Sequence, residues 1–398
     1  MNNAPLQTPL RGTKQSNFKL LTVVGARPQF IKAAPLSKLI VETEGLTEVM
    51  VHTGQHYDYA LSQQFFDELN IAPPHYNLEV GSGRHVVQMA EIMRKFDAVL
   101  EAEKPDLVVV FGDTNSTAAA AIAAAKNHIP LAHIEAGLRE FNKATPEEIN
   151  KMLTDSVTDL YFPPTKTGVK NLEKQGVFDN VYLTGDIGID LIVNNLEKIN
   201  ANADIFKRLG FDIGNESPNI PISQYPNYYF MTCHRAANTD NIENFKQIMA
   251  AVAQLDAPVV FPIHPRTRAS VEQNGLGDLL KIPNLKLIEP IGFWDTQTLI
   301  RHAKMVLTDS GGVIKEAYFH RVGCIILQNE IEWIEAVEEG WAHLSGNQTE
   351  QILRDIRQFK TPSVYSGFLG DGHASQRIID AVLTFLNKRR TGDLSRLM

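Results

Sequence analysis

The chain has 398 residues, more than one ordinary core accommodates and enough for two domains. Its composition is that of a globular protein, 43% hydrophobic and 21% charged, with 26 Gly and 20 Pro. A formal net charge of −8 argues against nucleic acid or an anionic membrane surface as a partner, yet a local cluster of Arg, His and Lys can still bind phosphate.

Residues 1–17 are polar, carry Pro5 and Pro9, and lack an apolar signal core, so a flexible tail on a cytoplasmic protein is expected. Leu20–Val24 is a continuous β-rich apolar run, followed by Gly25-Ala-Arg-Pro28 and a helix from about Phe30. Glu48–His52 reads as the next strand and Val86–Ala102 as a long amphipathic helix. Leu107–Phe111 is a third strand, Ala118–Ala125 an Ala-rich helix too short to span a bilayer, and Pro130–Ile134 a fourth strand. Helices follow near 147–157 and 165–174, with short strands at Leu160–Phe162 and Val181–Leu183.

Around 200–227 Asn, Pro and Gly become frequent, as in a connection between domains. The rhythm restarts at Tyr228–Thr232, then a helix near 241–255, Val259–Ile263, Leu285–Ile288, a helix near 295–303, Met305–Leu307 and Cys324–Leu327. A last helix covers about 374–389. Strands that are apolar throughout are expected where helices cover both faces of a parallel sheet. The fold class is therefore α/β, as two similar halves facing each other.

In such sheets ligands bind beyond the carboxyl ends of the strands, so the residues just after each strand matter most. After the first comes Gly25–Lys32, where Gly permits a tight turn, the helix start offers backbone N–H groups to an anion, and Arg27 offers a forked phosphate contact. Alone it reads equally as a plain turn, and the Gly-x-Gly-x-x-Gly spacing of a dinucleotide site is absent. After the third and fourth strands come Gly112-Asp113-Thr-Asn-Ser116 and His133-Ile-Glu135-Ala-Gly-Leu-Arg139. A third acidic group lies in Thr145-Pro-Glu147-Glu148-Ile-Asn150. Singly, these carboxylates read as caps and as an acidic helix start. Converging, they suit acid–base work, which needs groups that perturb one another's ionisation.

In the second half His234 follows a strand within Cys233-His-Arg235, and His264 does so within Pro262-Ile-His-Pro265. A Cys233–His234 nucleophile is disfavoured, because adjacent residues on an extended chain point in opposite directions. The histidines are spread over distant strands without ligand spacing, so no metal is expected; the lone pair of cysteines, Cys233 and Cys324, offers no disulfide framework. Ser310, Gly311 and Gly312 form a bare loop feeding a helix, which suits a diphosphate, and Glu316 in that helix suits ribose hydroxyls. The alternative is an ordinary strand–helix turn; Walker spacing is missing.

With these residues assembled, the chain resembles the UDP-N-acetylglucosamine 2-epimerase family of the non-hydrolysing type. The matching pieces are Gly25-Ala-Arg-Pro28, Thr53-Gly-Gln-His56, Gly112-Asp-Thr114, His133–Arg139, Pro146–Asn150, Cys233-His-Arg235 and Thr308-Asp-Ser-Gly-Gly312, in the family's order from about residue 18 to 390. Gly25–Lys32 and Glu330–Glu335 look like the branch acting on 2,3-diacetamido sugars or their uronic acids. The resemblance implies two Rossmann-like domains facing across a cleft, of the glycosyltransferase B type: 18–199 completed by a helix at 373–392, and a UDP-binding domain at 200–372. It also implies a cytoplasmic homodimer serving polysaccharide biosynthesis, with no metal and no cofactor.

Roles carry over to matching positions. Asp113, Glu135, Glu147 and His234 are the expected catalytic set. Arg27, Lys32, Gln55, Arg139, His264, Ser310, Gly311, Gly312 and Glu316 are the expected contacts to a UDP-sugar. The family reaction expels UDP to leave a 2-acetamidoglucal, then returns it after reprotonation from the opposite face. On that scheme Glu135 or Asp113 takes the proton, Glu147 supports the opposite face, and His234 with Arg27 assists the leaving group. The alternatives are a hydrolysing epimerase releasing free N-acetylmannosamine, a glycosyltransferase of the same fold, and a nucleotide-sugar sensor. Departures from the family pattern are Lys151 where Arg is frequent, Ala237 in place of an acidic residue, and Ile314 in place of Gln. Some bacterial members carry an activating substrate site; Asp58 and Glu91 stand at its positions here and would repel a diphosphate, so no activation is expected.

Overall fold

A computed structural model describes residues 18–55, 68–69, 71–211 and 226–391. The expected tail at 1–17, His56, Asp58 and the later part of the 200–227 connection lie outside the described residues. The chain divides into two units, one running up to Asn194 and resuming at Leu369, the other Asn195–Phe368.

The first unit holds β1 (Phe18–Val24), β2 (Leu46–His52), β3 (Tyr76–Asn77), β4 (Leu107–Phe111), β5 (Leu131–Ile134) and β6 (Leu160–Phe162). They lie in the order β3-β2-β1-β4-β5-β6 with every pair parallel. β4 and β5 are buried at every residue, as their unbroken apolar sequences require. Helix Asn115–Lys126 buries Ala118–Ala121, Ala123 and Ala124; side chains this small let its backbone lie close to the sheet and to helix His85–Glu103. Val181–Leu183 is not a strand but a single bridge from Val181 to Tyr161.

Helix Arg27–Glu42 starts earlier than its apolar pattern suggests, because Pro28 and Gln29 make the start. The Gln29 amide oxygen accepts from the N–H groups of Gly25 (2.8 Å) and Ala26 (3.1 Å), while its nitrogen donates to Phe111 O at 2.9 Å. One buried side chain thus ties the end of β1 to the end of β4. The final helix, Ala374–Thr391, packs on Arg27–Glu42, and buried Asp190 accepts the N–H groups of Ala374 (3.0 Å) and Ser375 (2.7 Å) at its start.

The second unit holds β7 (Tyr229–Thr232), β8 (Val259–Pro262), β9 (Leu285–Ile288), β10 (Met305–Thr308), β11 (Cys324–Ile326) and β12 (Ala342–Leu344). The order β12-β11-β10-β7-β8-β9, again all parallel, repeats the connectivity of the first sheet. β12 is short and only partly buried, too little for an apolar signature. Helix Leu196–Ala201 belongs to this unit because Thr298 Oγ1 donates to Ile199 O at 3.1 Å. No helix among the described residues is long and apolar enough to cross a membrane.

Strand order reverses between β1 and β4 in the first sheet and between β7 and β10 in the second. Open α/β sheets bind ligands outside the strand carboxyl ends at such switch points. In these sheets the switch points set Gly25–Arg27 beside Gly112–Asp113, and Cys233–Arg235 beside Asp309–Gly312.

Candidate active site

In the first unit the site is built around Gly112, the residue after β4. Glu135, just after β5, has a φ of +71°, a left-handed conformation that side-chain-bearing residues seldom adopt. Such strain costs about 1–3 kcal/mol and persists only where the surroundings impose it. Here the Glu135 N–H donates to Phe162 O on β6 (3.1 Å), and the carboxylate forms a buried ion pair with Lys32 of helix Arg27–Glu42. A Cβ on Gly112, itself at φ +62°, would sit 3.2 Å from both Glu135 Oε2 and Lys32 Nζ. Glycine is therefore what lets this pair lie over the end of β4.

Asp113 follows directly. Its Oδ2 faces Lys151 Nζ at 3.5 Å, and its carbonyl accepts from Asn150 Nδ2 at 3.0 Å, both from helix Pro146–Ser156. Asp113, Glu135 and Lys32 are thus brought to one edge of the sheet. The acidic pair at the start of helix Pro146–Ser156 splits. Glu148 is buried and accepts from Glu140 N (2.9 Å), closing the intervening loop, whereas Glu147 is exposed on the first turn. Arg27 is the first residue of its helix.

A buried polar brace supports this edge. His133 Nδ1 lies 2.6 Å from Asp155 Oδ1 and Nε2 lies 2.8 Å from Gly112 O. Each ring nitrogen thus faces an oxygen, one from helix Pro146–Ser156 and one from the residue after β4. Asp155 also accepts from Arg139 (2.5 Å) and from Gly137 N (3.0 Å). Burial pushes the Asp155 carboxyl up, but His133 and Arg139 outweigh it and hold it below the usual range. The Arg139 guanidinium, buried, also donates to Leu138 O (2.7 Å) and Gln175 (3.1 Å); it steadies the turn that carries Glu135. Gln55 plays a similar part: its amide oxygen accepts from Ser116 N (3.0 Å) and Ser116 Oγ (2.6 Å) at the start of helix Asn115–Lys126.

In the second unit Asp309, fully buried, organises the loop after β7. It accepts from the N–H groups of His234 and Arg235 and from Asn238 Nδ2, each at 3.0 Å. His234 Nδ1 lies 3.6 Å from the same carboxylate, and the His234 and His264 rings lie 5.4 Å apart. His264 caps helix Pro265–Gln273, its Nδ1 accepting from Arg266 N at 3.1 Å. The Thr232 and Thr308 hydroxyls meet at 2.5 Å, clasping β7 to β10, and Thr308 Oγ1 accepts from Ser310 N at 2.9 Å. Ser310 then stands at the N-cap position of helix Gly311–Phe319 without a side-chain bond to its first N–H groups, and Glu316 lies half-buried further along the helix. A side chain on Gly311 would meet Glu332 Oε1 (3.0 Å) and Trp333 Nε1 (3.2 Å). The arrangement offers an anion a helix N-terminus with histidines on the adjoining loops. Burial, with Asp309 alongside, pushes the Cys233 thiol well up, so no thiolate nucleophile is on offer. No group of three or more His, Cys, Asp or Glu among the described residues is placed to hold a metal.

Sequence reasoning passed over Lys151, Gln29, Asp155 and Asp309 as working residues. Asp309 alone carried a signal, a polar residue directly after the apolar strand β10; Gln29, Lys151 and Asp155 lie inside helices, where polar letters are ordinary.

Comparison with known proteins adds to this geometry. A family model described as UDP-N-acetylglucosamine 2-epimerase matches residues 38–383. The chain is 44% identical over 367 residues to a UDP-N-acetylglucosamine 2-epimerase homolog of Methanococcus maripaludis, covering 92% of this chain and 99% of that one. It is 40% identical to the UDP-2,3-diacetamido-2,3-dideoxy-D-glucuronate 2-epimerase of Pseudomonas aeruginosa, with 91% and 99% covered. Its structure is similar to that of the Methanocaldococcus jannaschii UDP-GlcNAc 2-epimerase in complex with UDP-GlcNAc and UDP, with a TM-score of 0.84 and 35% identity over 92% of this chain and 99% of that one.

Proposed function

The chain belongs to the UDP-N-acetylglucosamine 2-epimerase family, and we propose that it inverts carbon 2 of a UDP-linked N-acetylated amino sugar with Asp113 and Glu135 as its acid–base pair. It is an isomerase, and its relatives act on UDP-GlcNAc and on a diacetamido uronic acid. UDP-GlcNAc, giving UDP-ManNAc, is the first substrate we assign. The 40% identity to a diacetamido-glucuronate epimerase makes that sugar the second.

The hydrogen on carbon 2 has no carbonyl beside it and is not acidic by itself, so its removal must be coupled to loss of a leaving group. One carboxylate takes the proton, a C1–C2 double bond forms, and the C1–O bond breaks with its electron pair leaving on the UDP diphosphate. The other carboxyl then gives a proton to the opposite face of carbon 2 while a UDP oxygen re-adds at carbon 1. Atoms and charge balance without an oxidant. This chemistry needs two carboxyl groups on separate supports and cations or dipoles for the departing diphosphate.

The observation that carries the assignment is that Asp113 and Glu135 close neighbouring strands and each faces a lysine. Lys32 offsets the charge on Glu135 as the proton moves. Glu147, exposed on its helix start, is the third carboxylate toward the sugar. His234, His264, Arg27 and the helix start at Ser310–Gly312 receive the diphosphate, and Glu316 the ribose. The reading extends to the two units, one ending at Asn194 and resuming at Leu369 and the other Asn195–Phe368, as the working domains, in place of bounds at 199, 372 and 373 that would cut helix Leu196–Ala201, and to a cytoplasmic homodimer, which light scattering on the purified protein tests.

The experiment is incubation with UDP-GlcNAc in deuterated water, followed by proton NMR. Carbon-2 exchange with formation of UDP-ManNAc supports the proposal. Free sugar with UDP marks a hydrolase. Inertness here and with the diacetamido uronic acid contradicts it.

A further inference from the structure

We infer that Lys151 is a positioning residue for this reaction, its ammonium aiming the Asp113 carboxylate and keeping it ionised between turnovers. The inference rests on the acid–base role proposed for Asp113.

Burial is lopsided in this pair. The lysine side chain is 4% exposed and the aspartate 31%, with 3.5 Å between Nζ and Oδ2. A surface ion pair would leave both ends wet. Here the cation is enclosed, which is costly unless it has a carboxylate to face, and the carboxylate keeps an open side for a substrate. The preceding residue reinforces the aim: Asn150 Nδ2 donates to the Asp113 carbonyl at 3.0 Å and to Asn115 Oδ1 at 3.2 Å. Helix Pro146–Ser156 therefore grips residue 113 by main chain and side chain at once.

Other charged groups among the described residues near this point have partners of their own. Lys32 and Glu135 pair with each other over Gly112. His133 lies beneath, on the Gly112 carbonyl, with Asp155 behind it. His85, from helix His85–Glu103, is held by Asn115 at 3.0 Å. Lys151 faces Asp113 as Lys32 faces Glu135. A positive charge at this distance favours the ionised carboxylate, which is the form that takes a proton from carbon 2.

The test compares Lys151→Met, Lys151→Arg, Asp113→Asn and the Lys151→Met/Asp113→Asn double variant with the wild type, reading kcat, KM and the pH dependence of kcat/KM. Lys151→Met is expected to lose about tenfold or more in kcat with KM little changed, and its acidic limb to move to higher pH by about one unit. Lys151→Arg should restore most of both, and the double variant should be no slower than Asp113→Asn alone. An unmoved acidic limb in Lys151→Met overturns the inference, as do losses that multiply in the double variant. If Lys151→Met does not fold, the limb is read in Lys151→Gln and Lys151→Arg, where an unchanged limb in the former is equally decisive. A wild type inert toward both sugars would sink the epimerase reading instead, so the two failures are distinct.

Discussion

Both oxygens of the buried Asp309 carboxylate accept the backbone N–H of His234, at 3.0 Å each. The loop after β7 is thereby fixed by the residue that follows β10, so the histidine and the Ser310 helix start are set by one group. Removing it strands the N–H groups of His234 and Arg235, a penalty of about 1–3 kcal/mol for each unsatisfied buried donor. Asp309→Ala is expected to lower the melting temperature and to weaken UDP binding at least about tenfold. Differential scanning calorimetry and titration calorimetry with UDP measure the two effects.

The carboxylates on the first sheet should act on turnover. Asp113→Asn, Glu135→Gln and Glu147→Gln are each expected to lose about 100-fold or more in kcat, the usual scale for acid–base groups, while UDP affinity holds. Near-normal rates in all three would remove the assignment.

Acid sensitivity should come from the second unit. Burial, with Arg301 nearby, holds His302 neutral down to a pKa of about 4 and His320 down to about 3. In the unfolded chain each protonates near 6.5. Below that the unfolded state binds more protons, so stability present above pH 6.5 is lost as pH falls toward 4 and 3. The slope is at most about 1.4 kcal/mol per pH unit for each histidine. Melting temperatures between pH 7.5 and 5 should fall accordingly. His302→Phe, which keeps an aromatic ring against Phe206, should flatten the decline by about one proton.

Substrate activation is not expected. Glu91 lies exposed on helix His85–Glu103, and its nearby Arg94 pairs with it at 2.8 Å rather than standing ready for a diphosphate. Initial rates against substrate should follow a hyperbola. A sigmoid relieved by added UDP-GlcNAc would show an activating site after all.

The parallel α/β framework was legible because a strand covered on both faces must be apolar throughout, as Leu107–Phe111 is. Its strand ends announced Asp113, Glu135, His234 and Ser310 for the same reason: polar residues interrupt the pattern where the sheet stops. Short or partly exposed elements such as Tyr76–Asn77 and Ala342–Leu344 bury too little to leave a signature. The braces were also hidden. Arg139 reads in sequence as a ligand contact, yet in the fold its guanidinium is taken up by Asp155 and two further acceptors. Nothing in linear spacing says that residue 139 meets residue 155. Glu147 and Glu148 are adjacent letters, and only the turn of the helix separates a buried loop clasp from an open carboxylate.

The central claim, that carbon 2 is inverted by departure and return of UDP, is tested most directly by positional isotope exchange. UDP-GlcNAc, or the diacetamido uronic acid if that is the sugar turned over, is prepared with ¹⁸O in the bridge between carbon 1 and the β-phosphorus. Phosphorus NMR then follows the label during turnover. Scrambling of the label into the non-bridging β-phosphate oxygens, at a rate comparable to carbon-2 exchange, is the predicted result. Epimerisation with the label fixed in the bridge would contradict the account, because the C1–O bond would never have broken.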